Sequence, residues 1–142
     1  MSKLAIYGYS SSLDFKRLPA LFHLIQRLYP KKIDNVNLIF SSPSQMRALN
    51  KKYRRKNENT DVLSFAYNEK GFLGEICVSK AKVRENAKKY GNLYIHELDR
   101  VIIHGFLHLL GFDHKEPEER EAMEKEEKNI FKLWQKSKIS SL

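Results

Sequence analysis

Apolar residues recur along this chain at two periods, and the changes of period mark its elements. Residues 3–9 read as a short strand. Phe15, Leu18, Leu21, Phe22, Ile25 and Leu28 then follow helical spacing, with Ser12 or Asp14 as the cap and an end near Tyr29. Pro19 is expected to kink or delay this helix, and Pro30 to end it. Residues 35–41 alternate Val36, Leu38 and Phe40, a half-buried strand. Ser42 before Pro43 opens a helix to about Tyr53, followed by a polar loop over 54–59. Residues 61–67 and 72–79 form a hairpin through Asn68-Glu69-Lys70-Gly71. Ser79 caps a basic helix over 80–90 that Gly91 ends. Residues 94–110 are apolar nearly all round and predict a buried helix. Pro117 starts a last amphipathic helix that turns Met123, Ile130, Phe131 and Trp134 inward, and residues 136–142 are expected to fray.

The 142 residues predict a single domain over 1–142, ordered over 1–135 and able to bury a core without disulfides. The lone Cys77 lies in an apolar strand and reads as a buried thiol, which fits a reducing cytoplasm. No apolar run is long enough to span a membrane, and the first residues lack the apolar core of an export signal, so no membrane partner is expected. The net charge is +9, and it is unevenly spread. Residues 115–128 hold seven acids and four bases, a local charge of −3, which leaves +12 for the remainder. A basic surface of this size favours polyanions, nucleic acid above all, although a solubility charge would look similar.

Three of the five histidines fall within eleven residues, His104-Gly105-Phe106-Leu107-His108-Leu109-Leu110-Gly111-Phe112-Asp113-His114. On a helix, His104 and His108 project from one face. Gly111 can take the left-handed conformation that ends a helix, so His114 can return toward the pair. Three imidazoles with an open fourth position is the arrangement of a catalytic zinc site. The spacing matches the metzincin protease pattern, with one change: Gly105 stands where the protease places its general-base Glu. The motif therefore points to metal-dependent hydrolysis and away from an ordinary peptidase. Asp113 is the only acid inside it, placed to orient a ligand or to cap the turn. His23 and His96 read as surface or core-edge residues.

Residues 47–56 hold six bases and no acid, with Tyr53 among them. Such a run can clamp phosphates and offer a face for base stacking, or it can be a solvated helix end. After it come Thr60-Asp61-Val62-Leu63-Ser64-Phe65 and Leu73-Gly74-Glu75-Ile76-Cys77-Val78-Ser79. Together with the Tyr53-Arg54 step and the histidine motif, these segments resemble the YbeY family of metal-dependent endoribonucleases over about residues 35–135. Arg55, Asn59 and Ala66 depart from that family's usual Gly, Pro and Pro, which bears on loop shape and leaves the ligands untouched.

The resemblance implies an α/β (α+β) zincin-like fold, a small mixed four-stranded sheet packed with about five helices, the metal helix central. It implies one zinc per chain on His104, His108 and His114, and a catalytic role for Arg54. The activity implied is zinc-activated hydrolysis of single-stranded RNA phosphodiesters during ribosomal RNA maturation and ribosome quality control, in the cytoplasm. The partners implied are ribosomal RNA, the small ribosomal subunit and its assembly factors, with no NAD or nucleotide cofactor. Arg100, one turn before His104, is either a second phosphate contact or the partner of Glu97 or Asp99. Glu75 lies on a strand of undetermined facing. Thr60 and Ser64 suit strand-end hydrogen bonding better than nucleophilic attack. Two other readings stand beside this one: a metallohydrolase of another substrate class, including a peptidase with a displaced base, and an RNA-binding assembly factor with a structural metal.

Overall fold

The computed structural model describes residues 2–8, 10–30, 33–54, 60–137 and 139–141, apart from the side chains of Arg54, Asn68 and Ser141. The element order is β1 (Leu4–Gly8), α1 (Ser12–Leu28), β2 (Asn35–Phe40), α2 (Pro43–Arg54), β3 (Val62–Glu69), β4 (Phe72–Val78), α3 (Lys80–Tyr90), α4 (Tyr94–Leu109) and α5 (Pro117–Gln135), with a 3-10 turn at Ile139–Ser141. The strands form one mixed sheet in the order β1-β2-β4-β3. β1 and β4 run parallel to β2, and β3 pairs antiparallel with β4 at the edge. The expected α/β architecture, four strands and five helices, is the one observed.

The alternation read in residues 35–41 decides the two faces of the sheet. Val36, Leu38 and Phe40 are buried with Ile76 and Val78 against α1, α4 and α5. On the opposite face only Met46, Leu63 and Cys77 form a small buried cluster, edged by Ile39, Leu49 and Phe65. One face is thus the core and the other is thinly covered by α2.

Local details refine the expected boundaries. Ser11, one residue before the expected caps, opens α1: its Oγ accepts the Asp14 N–H at 3.3 Å, and Asp14 Oδ2 accepts the Ser11 N–H at 2.8 Å. Pro19 sits inside α1 without delaying or dividing it. The hairpin is tighter than expected because β3 continues to Glu69, leaving Lys70-Gly71 as the turn. Ser79 and Gly91 cap α3 as expected. Of the polar loop expected over 54–59, Arg54 closes α2 and residues 55–59, with Arg55 and Asn59, lie outside the described residues.

The buried helix α4 touches the sheet closely at one point. A Cβ on Gly105 would lie 2.8 Å from Ile76 Cγ2 and 3.2 Å from Ser64 Oγ. Ser64 Oγ donates to the Gly105 carbonyl at 3.0 Å, tying strand to helix where no side chain intervenes. Gly105 therefore faces the sheet, and the position has no room for the glutamate a metzincin carries there.

α4 also buries two acids. Glu97 accepts from Asn92 and Arg100. Asp99 meets Arg17, fully buried on α1, in a two-pronged contact with Nη1–Oδ1 at 3.1 Å and Nη2–Oδ2 at 2.5 Å. Trp134 Nε1 donates to the same carboxylate at 2.8 Å. Arg17 Nη2 also donates to the Ser140 carbonyl at 3.1 Å. This contact ties the 3-10 turn at Ile139–Ser141 to α1. A buried guanidinium and carboxylate persist only as a paired, hydrogen-bonded unit.

Two outcomes follow from these contacts. Arg17→Met leaves Asp99 buried without its cation and should lower unfolding stability by about 3–5 kcal/mol, read in urea by the fluorescence of Trp134, the only tryptophan. Gly105→Ala forces α4 off the sheet and should cost about 1–3 kcal/mol; a variant as stable as the parent would show that the contact yields freely.

Candidate metal centre and its cleft

α4 ends where the motif requires it to turn. Gly111 adopts φ 100°, the left-handed region glycine favours. The Gly111 N–H bonds the His108 carbonyl and the Phe112 N–H bonds the Leu107 carbonyl, both at 3.0 Å, a Schellman arrangement. Phe112 then meets Tyr29, the residue that caps the end of α1, edge to face, with ring centroids 6.4 Å apart. This sends the chain back so that His114 faces His104 and His108.

One ligand nitrogen from each of the three histidines lies within 4.8 Å of the others, so the group could hold a metal ion. The Nε2 atoms of His104 and His108 are 3.1 Å apart. Two ligands at zinc–nitrogen distances of about 2.0–2.1 Å in a tetrahedral site are separated by roughly 3.3 Å, close to this spacing. Burial, and then the neighbouring His104 and His114, hold His108 below the usual imidazole value, which favours the neutral, ligating form.

Glu127 completes the arrangement. Its Oε2 lies 3.0 Å from His104 Nδ1. A proton on Nδ1 donated to this carboxylate leaves the Nε2 lone pair toward the other two imidazoles. The motif itself gives no sign of Glu127, but α5 does. Met123, Ile130 and Trp134 are its buried positions, and 127 falls between them at helical spacing, an acid on an otherwise apolar face.

The remaining predicted residues divide. Asp113 Oδ1 accepts the His114 N–H at 2.7 Å, and this bond holds its carboxyl below the usual range. It caps the turn and contacts no ligand ring among the described interactions. Arg100 is paired with Glu97, so of its two readings the ion pair is the one present, although its side chain still lines a cavity of about 440 Å³ beside His104 and Glu127. Ser64 is the expected hydrogen bonder. Glu75 faces away from α4 to the other side of the sheet, where Tyr67 and Asn37 donate to it. The Arg54 side chain lies outside the described residues; the backbone places Arg54 at the end of α2. His23 is exposed and contacts Gln26 at 2.9 Å, and His96 packs edge-on to Phe131.

The three histidines open into a cleft of about 1040 Å³. Its other wall is the edge strand β3 and its approach, with Thr60, Asp61, Ser64, Phe65 and Tyr67, joined by Tyr53 of α2. Asp61, not singled out from the sequence, has its carboxyl raised by burial, against the N–H groups of Val62 and Asp61 itself. Cys77 is buried as expected, and its thiol is pushed up to about 11, chiefly by desolvation. Among the described residues, no helix is long and apolar enough to cross a membrane.

Comparison with known proteins agrees with this geometry. The family model described as Endoribonuclease YbeY matches residues 15–135. Endoribonuclease YbeY of Geobacillus sp. (strain WCH70) is 40% identical over 112 residues, covering 70% of this chain and 72% of that protein. Endoribonuclease YbeY of Thermotoga maritima is 36% identical over 123 residues, covering 84% of this chain and 82% of that one. The solution structure of TM1509 from Thermotoga maritima superposes with a TM-score of 0.64 at 31% identity, covering 96% of this chain and 95% of the other. With residues 15–135 matched by the family model and relatives 36% and 40% identical over most of the chain, the chain belongs to the endoribonuclease YbeY family.

Proposed function

We propose that this protein is a zinc-dependent endoribonuclease that cuts single-stranded RNA during ribosomal RNA maturation in the cytoplasm, with the small ribosomal subunit and its assembly factors as partners. The observation that carries the reading is the placement of three converging imidazoles at the end of a long cleft with aromatic walls. The donor set fits zinc: three nitrogen ligands, one with its second nitrogen held by a carboxylate, and room for a fourth group. Three protein ligands also argue against a purely structural ion, which is normally closed by four. The packing of Gly105 against Ile76 argues against the peptidase alternative, because the peptidase base has no place there.

His104, His108 and His114 would hold the zinc, which would supply Lewis acidity for phosphodiester hydrolysis. The chain's own groups do the rest. Glu127 fixes the His104 tautomer, the Schellman turn fixes His114, and the Ser64–Gly105 bond fixes the height of the helix over β3. Arg54, at the end of the basic helix, is assigned to the scissile or an adjacent phosphate, where a two-pronged guanidinium contact offsets the charge that grows during phosphodiester cleavage. Arg47, Lys51 and Lys52 are exposed along the same helix and favour RNA over a neutral substrate.

Cleavage of a labelled single-stranded RNA by zinc-loaded protein tests this reading. His108→Ala should fold normally and lose at least about 100-fold in rate, since it removes a ligand; undiminished cutting by this variant would refute the metal role. Arg54→Ala should lower kcat and not merely RNA affinity. Glu127→Gln should weaken zinc binding about 10- to 100-fold, measured by competition with a chromogenic chelator, and unchanged affinity would mean that the carboxylate only packs α5 against α4.

A further inference from the structure

Alternate residues of β4 serve opposite faces of the sheet. Gly74 and Ile76 meet α4, whereas Glu75 and Cys77 border a cavity of about 720 Å³ between the sheet and α2. Its walls are aromatic. The rings of Tyr53 and Phe65 meet edge to face at 5.0 Å, and Tyr67 stacks on Phe72 at 5.5 Å. Tyr53 is 56% exposed and Tyr67 47%, so both rings have free surface. With the Cys77 thiol neutral, Glu75 is the one formal charge among the described residues that line this cavity. Tyr67 Oη donates to Glu75 Oε1 at 2.9 Å and Asn37 Nδ2 donates to Oε2 at 3.3 Å. A carboxylate has about four acceptor sites, so each oxygen retains capacity for another donor.

Tyr53, Phe65 and Tyr67 also line the histidine cleft. The two cavities therefore meet across β3, the edge strand, and a chain leaving the histidines over that edge arrives between Tyr53 and Glu75. A carboxylate repels phosphate, so the group entering here is not the backbone of a polyanion. The cations Arg47, Lys51 and Lys52 are exposed on α2, and Lys52 Nζ lies 5.2 Å from the Tyr53 ring centroid. They attract flanking phosphates and repel a basic peptide. Among the RNA bases, guanine alone offers two adjacent N–H donors, N1–H and the 2-amino group, to one carboxylate.

Building on the endoribonuclease reading above, we propose that the groove beneath α2 binds a guanine base of the RNA strand that occupies the histidine cleft, stacked on Tyr53 and read by the Glu75 carboxylate. Glu75 is then a specificity residue on the far side of the sheet from the metal, and it selects which phosphates reach the histidines.

The test is equilibrium binding of the full chain in EDTA to labelled octauridylate carrying one guanosine, inosine or adenosine at each position in turn, read by fluorescence anisotropy at fixed salt. At one position, guanosine should bind about tenfold tighter than uridine, with inosine between them and adenosine no better than uridine. Glu75→Gln should erase the guanosine preference, read as the ratio of guanosine to uridine affinity within the same variant, and Tyr53→Ala, at an exposed ring, should weaken binding of every oligomer about tenfold. Equal affinity for guanosine and uridine, or a preference that survives Glu75→Gln in a normally folded variant, overturns the proposal. So does Glu75-dependent binding of a short arginine-rich peptide in the absence of any guanosine preference, which would make the groove a protein-docking surface. Cleavage by zinc-loaded protein is run in parallel. Cutting without a Glu75-dependent preference removes the base site and leaves the nuclease reading intact. A Glu75-dependent preference without cutting keeps the base site and removes the nuclease reading.

Discussion

The distance between α4 and the sheet at Gly105 is the constraint on which the site depends. Helices normally meet a sheet through side chains, which hold the backbones about a side chain apart. Here Ile76 and Ser64 press directly on the helix backbone, and Ser64 donates to the Gly105 carbonyl. The helix is thereby held low over β3 and β4, with His104 and His108 half-buried on the side that opens into the cleft. The residue that in a metzincin provides chemistry here provides proximity. One position cannot serve both ends, because the carbon that would begin a glutamate side chain is already in contact with Ile76.

The second fixed point is the clasp of Arg17, Asp99 and Trp134. It joins α1, α4 and α5 through a single carboxylate, five residues before His104 on the same helix. Buried ion pairs are seldom large net contributors to stability, and their better-attested effect is to specify one arrangement over others. In this molecule the arrangement specified is the rotation of α5 about α4, since Trp134 and Glu127 are on the same face of α5 and reach Asp99 and His104 respectively.

Much of this was legible in the chain, for identifiable reasons. Residues 80–90 carried their own Ser79 and Gly91 caps, and the structure keeps both ends. The alternation of Val36, Leu38 and Phe40 gave the core face, because a period of two leaves no freedom about which residues share a side. The histidine spacing and Gly111 gave the convergence of His104, His108 and His114. What escaped depended on tertiary register. Ser11 was passed over because its role is visible only with Asp14 folded back onto its N–H. The facing of Glu75 is set by which face of β4 meets Gly105, information held thirty residues away. Glu127 sat in a helix full of exposed acids; its spacing from Met123, Ile130 and Trp134 was readable, but its partner His104 is on another helix and 23 residues away.

The Schellman turn has a consequence for how the centre tolerates change. His114 and Glu127 are both downstream of Gly111, the first on the short connection into α5 and the second within α5 itself. One supplies a nitrogen and the other steadies a nitrogen supplied from upstream. An insertion or deletion between Gly111 and Pro117 would displace both together, the first by moving the ring and the second by rotating α5 roughly 100° per residue. The length of that connection is therefore under a double restraint, and sequence drift in this chain should accumulate as substitutions there, not as changes of length.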